Sequence, residues 1–187
     1  MKIRVATEQD APETAKAEWT TAETLGMLVG RVEEIPVTAF ASMIGRLSDQ
    51  GCYWVAEEGG HLVGHAFLDP MKMLGNAHVF VLNIVVHPGE TGRGTGSRLL
   101  QHALDWARAN PSLNRIELLV RSTNARAIAL YRKFGFFEEG GCSGESVRQA
   151  GSSLMTSRWL GFLIGGATPQ QDVAADKGPP PDARRPW

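Results

Sequence analysis

The stretch HPGETGRGTGSRLL, residues 87–100, governs how the rest of the chain is read. Gly92, Gly94 and Gly96 leave the backbone bare and free to take positive φ. Successive N–H groups in such a turn form an anion-binding nest. The loop feeds directly into a helix, whose unpaired N–H groups and positive dipole end favour phosphate. Arg93 and Arg98 add charge. A glycine-rich strand-to-helix turn without a ligand fits the same residues, so the loop alone leaves both readings open.

Spacing excludes two classes of phosphate loop. A triphosphate loop requires G-x-x-x-x-G-K-[ST]. Gly89 and Gly94 are correctly separated, but Thr95 stands where the lysine must be. A dinucleotide fingerprint, G-x-G-x-x-G, also fails: its third glycine is Ser97 or Leu99, depending on the start. No ribose-binding acid follows at the required distance.

Working outward, HVFVLNIVVH (residues 78–87) is β-branched, nearly continuously apolar and stopped by Pro88, which predicts a strand. Leu99, Leu100, Ala103, Leu104 and Ala107 form one stripe of a helix from about Gly96 to Ala109. RIELLV (115–120) is another strand. Ala125 to Phe134 is a helix with Gly135 as its cap. Upstream, a strand at Ile3–Ala6 precedes helices at Ala11–Leu25 and Val37–Leu47. Strands at 52–58 and 61–69 flank the Gly59-Gly60 turn. FFEEG and SLMTSRWL supply two late strands. The order β, α, α, three strands, α, β, α, β, β implies an α/β or α+β three-layer fold around one mixed, twisted sheet.

The chain's 187 residues, 43% of them hydrophobic, are enough for one domain with a core that needs neither disulfides nor metal. We place the domain at residues 1–164. Residues 165–187 are rich in Gly, Pro, Ala and Asp and are expected to form a flexible tail. A net charge of -1 gives no general attraction to nucleic acid or anionic membrane. The first residues show no apolar h-region and no apolar run reaches membrane-spanning length, so neither a signal peptide nor a membrane span is expected. Cys52 and Cys142 are expected to be free thiols, and the histidines and cysteines lack metal-ligand spacing. A cytoplasmic protein is the expectation.

The segment NARAIALYRKFGF, residues 124–136, resembles the second signature of the GNAT superfamily of acyl-CoA N-acyltransferases, N-x-x-A-x-x-x-Y-x-x-x-G-F. Asn124, Ala127, Tyr131, Gly135 and Phe136 match. LNIVVHP followed by GRGTGSRLL resembles that family's first signature, [QR]-x-x-G-x-[GA]. The resemblance implies a mostly antiparallel sheet of about six or seven strands with about four helices. Acetyl-CoA would be the co-substrate and an amine the acceptor, with no metal, nucleic acid or membrane partner. A homodimer is the assembly expected.

The family geometry also implies roles. Pantetheine inserts where the strand of residues 78–87 and that of 115–120 splay apart, pairing with backbone of Ile84, Val85 and Val86. The pyrophosphate sits on the turn from Thr91 through Gly92, Arg93, Gly94, Thr95 and Gly96 to Ser97. Asn124 and Ala127 open the next helix, with Asn124 toward the pantetheine arm and Arg126 toward a CoA phosphate. Tyr131, two turns on, points at the thioester sulfur as the acid; a core aromatic is the alternative. The Val85 N–H faces the developing oxyanion.

The acceptor must be a neutral amine, yet an alkyl amine with the lysine reference value is only about 0.04% neutral at pH 7. A base or a desolvating pocket must help. Glu117 is the first choice for base, with His78 and His65 next; a salt-bridged strand carboxylate is the alternative for Glu117. Two positions depart from the family. Thr91 occupies the [QR] place, which implies weaker CoA binding. Leu119 stands where protein N-terminal acetyltransferases commonly carry Glu, which favours a small-molecule or amino-acid acceptor. The acceptor wall is expected within residues 19–40, where Glu33 and Glu34 could attract a cation. A non-catalytic acyl-CoA-binding module and a protein acetyltransferase are the competing readings.

Overall fold

A computed structural model describes residues 1–23, 35–72, 74–142 and 157–164. The expected tail at 165–187, and Glu33 and Glu34 of the acceptor wall, lie outside the described residues. The elements are β1 (Lys2–Val5), α1 (Ala11–Glu23), α2 (Val37–Ser48), β2 (Tyr53–Glu58), β3 (His61–Pro70), β4 (Val79–Val86), α3 (Thr95–Ala109), β5 (Arg115–Arg121), α4 (Ala125–Lys133), β6 (Phe137–Cys142) and β7 (Ser157–Leu163).

The strands make one sheet in the order β1-β2-β3-β4-β5-β7-β6. Only β4 and β5 run parallel; the other pairings are antiparallel. The expected mixed, mostly antiparallel sheet is therefore present. The last strand, Ser157–Leu163, overlaps the end of SLMTSRWL, extends to Leu163 and pairs along the whole of β5; the first four residues of that stretch lie outside the described residues.

Cross-strand partners share a face of the sheet. His65 bonds Glu18 of α1, and Asp69 bonds Arg46 of α2, so α1 and α2 cover the face bearing His65 and Asp69. Trp54 and Phe80 meet Trp106 of α3, with ring centroids 5.6 and 6.2 Å apart, so α3 covers the other. The apolar stripe of α3 is buried throughout: Leu99, Leu100, Ala103, Leu104 and Ala107 are each at most 1% exposed. Burying a leucine side chain contributes about 2 kcal/mol, so this stripe is what seats α3 on the sheet.

One irregularity makes room for a site. β3 pairs with β4 from Pro70↔Phe80 to Gly64↔Val86. β5 pairs with β4 only at Val79, Phe80 and Val81. Beyond Val81 the two parallel strands part, and the C-terminal half of β4 keeps a partner on one flank only.

Candidate active site

A cavity of about 320 Å³ opens where β4 and β5 separate. It is lined by Ile84, Val85 and Val86 on β4, and by Pro88, Glu90, Thr91 and Gly92 of the following loop. Gly94, Thr95, Gly96 and Ser97 continue the wall into α3; Asn124, Arg126, Ala127, Leu130 and Tyr131 complete it from α4, and Thr21 from α1. Every cofactor-binding residue named from the sequence is among these except Arg93.

The loop has the conformation its glycines were expected to allow. Gly92 and Gly94 take φ of 92° and 84°, the left-handed region that a side chain would strain. Gly94 is the N-cap of α3, so the first amides of that helix face the loop. At Gly96 the reason is space instead: a Cβ there would stand 3.3 Å from Val86 Cγ2 and 3.4 Å from Leu130 Cδ2. Arg126 closes over the loop, its Nη2 lying 3.6 Å from where a Cβ on Gly92 would be.

Arg93 points elsewhere. Its Nη1 donates to Glu90 Oε2 at 2.8 Å, and its side chain is 62% exposed. The charge expected to serve a phosphate is thus engaged by a carboxylate three residues earlier. Glu90, Pro88 and Leu130 were not picked out from the sequence as lining residues, whereas Thr21 falls within the stretch 19–40 expected to wall the acceptor. Glu90 had a legible signal, since an acid within the loop itself stands at hydrogen-bonding spacing from Arg93.

Asn124 caps α4, its Oδ1 accepting from the Ala127 N–H at 3.1 Å. This fixes where α4 starts and hence where Tyr131 lies two turns later. Tyr131 is 8% exposed and packs on Phe136 at 5.6 Å. Burial pushes its phenol up to about 12, so it stays protonated at every working pH.

The ladder phase revises one expected role. Antiparallel bonds alternate along a strand. The His87 N–H donates to the Val63 carbonyl at 3.1 Å, and the Met71 N–H to the Val79 carbonyl at 2.9 Å. Odd-numbered residues of β4 therefore spend their backbone groups on β3. The Val85 N–H, expected to face an oxyanion, points to β3 instead. The groups turned toward the split belong to Leu82, Ile84 and Val86.

The candidate bases are not brought to the cavity. Glu117 Oε1 accepts from Arg115 Nε at 2.8 Å. In register it aligns with Val81 and Asp69, which puts it on the α1/α2 face, whereas Leu130 of α4 lies beside Gly96 at the start of α3. His78 is exposed at the opposite end of β4. His65 is fully buried between Glu18 and His87. Cys52 is a buried free thiol pushed up to about 11 by its burial, and so is no nucleophile. Among the described residues, no cluster suited to a metal ion occurs and no helix is long and apolar enough to cross a membrane.

The comparisons agree with this geometry. Residues 11–136 match the model of the acetyltransferase (GNAT) family. The chain is 37% identical over 106 residues to N-alpha-acetyltransferase RimI of Mycobacterium tuberculosis, covering 57% of this chain and 64% of that protein. It is 35% identical over 81 residues to the L-amino acid N-acetyltransferase AaaT of Escherichia coli, covering 43% of this chain and 50% of that one. The matches thus span less than two thirds of these relatives. The yncA protein of Salmonella typhimurium, solved with its cofactor acetyl-CoA, shares the fold at a TM-score of 0.75 and 21% identity, over 98% of this chain and 99% of that one. With the family model covering most of the described residues, and with the split strands, glycine loop and tyrosine of both signatures meeting at one cavity, the chain belongs to the GNAT acetyltransferase family.

Proposed function

We propose that the protein transfers an acetyl group from acetyl-CoA to the primary amine of a small molecule, most simply an amino acid. The observation that carries this reading is the convergence at one cavity of the unpaired flank of β4, the glycine loop and Tyr131. A pantetheine arm laid along Ile84–Val86 would find the backbone groups that β5 leaves unused. The loop amides from Gly92 to Ser97 suit a pyrophosphate, and Arg126 suits a further phosphate.

Tyr131 is the proposed acid. A phenol near 12 facing a thiolate of ordinary value near 8.5 is unfavourable for full proton transfer by about 5 kcal/mol. A hydrogen bond to the departing sulfur, strengthened as charge develops, is the role such a group fills best. The N–H groups of Ile84 and Val86 are the donors turned toward the split, available to a polarising thioester carbonyl. Glu117 engages Arg115 away from the cavity wall, so desolvation in the acceptor pocket, rather than this carboxylate, is the proposed source of the neutral amine.

A second reading, acetylation of a peptide N-terminus, is favoured by the likeness to RimI. Leu119 weighs against it, and the likeness to AaaT supports the amino-acid reading. Calorimetric titration with acetyl-CoA, with ATP as control, tests the donor. A panel of free L-amino acids, set against peptides that begin with the same residues, then tests the acceptor by mass of the product. Selective acetylation of the free amino acids is expected. Turnover of peptides alone would reverse the assignment, and tight acetyl-CoA binding without turnover would leave a binding module.

A further inference from the structure

Three titratable side chains outside the cavity form a continuous buried chain. Glu18 Oε1 lies 3.0 Å from His65 Nε2, His65 Nδ1 lies 3.0 Å from His87 Nε2, and His87 Nδ1 lies 3.0 Å from the Leu62 carbonyl oxygen. Glu18, His65 and His87 are 4%, 0% and 5% exposed. None touches the cavity, yet each adjoins its wall. Thr21 follows Glu18 by one helical turn, Val85 is the cross-strand partner of His65, and His87 stands between Val86 and Pro88.

We propose that Glu18, His65 and His87 are positioning residues: a clamp, closed by one buried proton, that ties α1 and the end of β4 to β3 and so holds the acetyl-CoA edge of β4 in place. The proton count follows from the hydrogen bonds. A carbonyl only accepts, so His87 Nδ1 carries a hydrogen. If both rings are neutral, His87 Nε2 accepts and His65 Nδ1 donates to it. His65 Nε2 is then bare and faces Glu18. Were Glu18 ionised, two lone pairs would meet at hydrogen-bond distance between buried groups, which is strongly unfavourable. One further proton removes the conflict, on Glu18 or on a ring. The fully bonded chain is therefore neutral overall and holds that proton.

Burial, reinforced by the neighbouring His65, pushes His87 down to about 4, so the extra proton does not rest on that ring. Among the described residues, the titratable groups that adjoin the chain are the following. Tyr53 of β2 stacks on His65 at 6.0 Å, and its phenol is raised far above its ordinary value by burial first, then by Glu18. Thr14 and Asp10 also act on that phenol. Glu13 of α1 accepts from the Leu62 N–H at 2.9 Å, and His61 lies 3.6 Å from Glu90. A conduit for protons is ruled out by the chain's end, because the Leu62 carbonyl cannot take one up.

Two substitutions separate the proton from the packing. Glu18→Gln supplies an N–H for His65 Nε2 and satisfies every bond without the proton. Glu18→Ala opens the chain. Urea unfolding between pH 7 and 9 reads the proton directly. Unfolded histidines are neutral in that range, so the folded wild-type chain holds one proton more than the unfolded one. Its unfolding equilibrium constant is expected to rise with pH relative to that of Glu18→Gln, by up to about tenfold per pH unit. Parallel curves would overturn the buried proton. Acetyl-CoA titration at pH 7 reads the positioning, and this readout alone rests on the donor reading above. Glu18→Gln is expected to bind within about threefold of wild type and Glu18→Ala roughly tenfold more weakly. Equal affinities in wild type and Glu18→Ala, or equal losses in both variants, would overturn the clamp. No binding by wild type would count against the donor reading instead.

Discussion

Glu90 holds Arg93 by a 2.8 Å ion pair on the rim of the glycine loop, with the carboxylate lining the cavity and the guanidinium turned outward. An anion thus stands in the wall proposed to receive phosphate, and Arg93 pairs with it. Glu90→Gln removes that charge and releases Arg93. We expect acetyl-CoA to bind roughly three- to tenfold more tightly, with a gain that shrinks as salt is raised. Calorimetry at low and high ionic strength checks both parts; weaker binding would mean that Glu90 orders the loop.

Tyr131→Phe keeps the ring against Phe136 and removes only the hydroxyl. The maximal turnover rate should drop by about 10²- to 10⁴-fold, while acetyl-CoA affinity stays near wild type. Because burial holds the phenol near 12, the wild-type rate should show no alkaline fall from this group below about pH 11. A Tyr131-dependent fall near pH 8 or 9 would mean that the phenol ionises in the complex.

Glu117→Gln distinguishes a catalytic carboxylate from a structural one. Its bond to Arg115 and its absence from the cavity wall lead us to expect a change in turnover within about threefold. A loss of a hundredfold or more, together with disappearance of the acidic limb of the pH–rate profile, would establish it as the base.

Stability should fall on the acid side in two stages. His87 is held neutral by burial, so below its unfolded value near 6.5 the unfolded chain takes up a proton that the folded chain refuses. Folding should lose about 1.4 kcal/mol per pH unit from 6.5 toward 4. Asp10 is lowered by its bidentate bond with Arg4 and by the Thr7 N–H. Its contribution is complete above about 3.9 and is lost as pH drops through its folded value. Urea titrations of wild type, His87→Gln and Asp10→Asn should show the first stage flattened in one variant and the second in the other.

The elements were legible where pattern and chemistry agreed. The apolar run of β4 stopped by Pro88, the stripe of α3, and Asn124 spaced seven residues from Tyr131 all stand as read. The backbone phase of β4 was not legible. Which of Ile84, Val85 and Val86 turns its N–H to the split depends on register with β3, and alternation in sequence does not carry register. The side chain of Arg93 was not legible either: a basic residue in an anion loop looks like a ligand group, and only the geometry shows its guanidinium paired with Glu90. The Glu18–His65–His87 chain is assembled from α1, β3 and the end of β4. Residues 47 and 22 positions apart could not be seen as neighbours before the fold was known.

The short pairing between β4 and β5 makes the sheet two plates joined by a hinge of three residue pairs. One plate is β1-β2-β3-β4 and the other β5-β7-β6. A donor molecule seated in the gap would act as a rivet between them, bonding one plate by backbone and touching the other's helix at Tyr131. Occupancy should therefore stiffen the far plate, slowing amide exchange in β5 and β7 although neither strand lines the cavity.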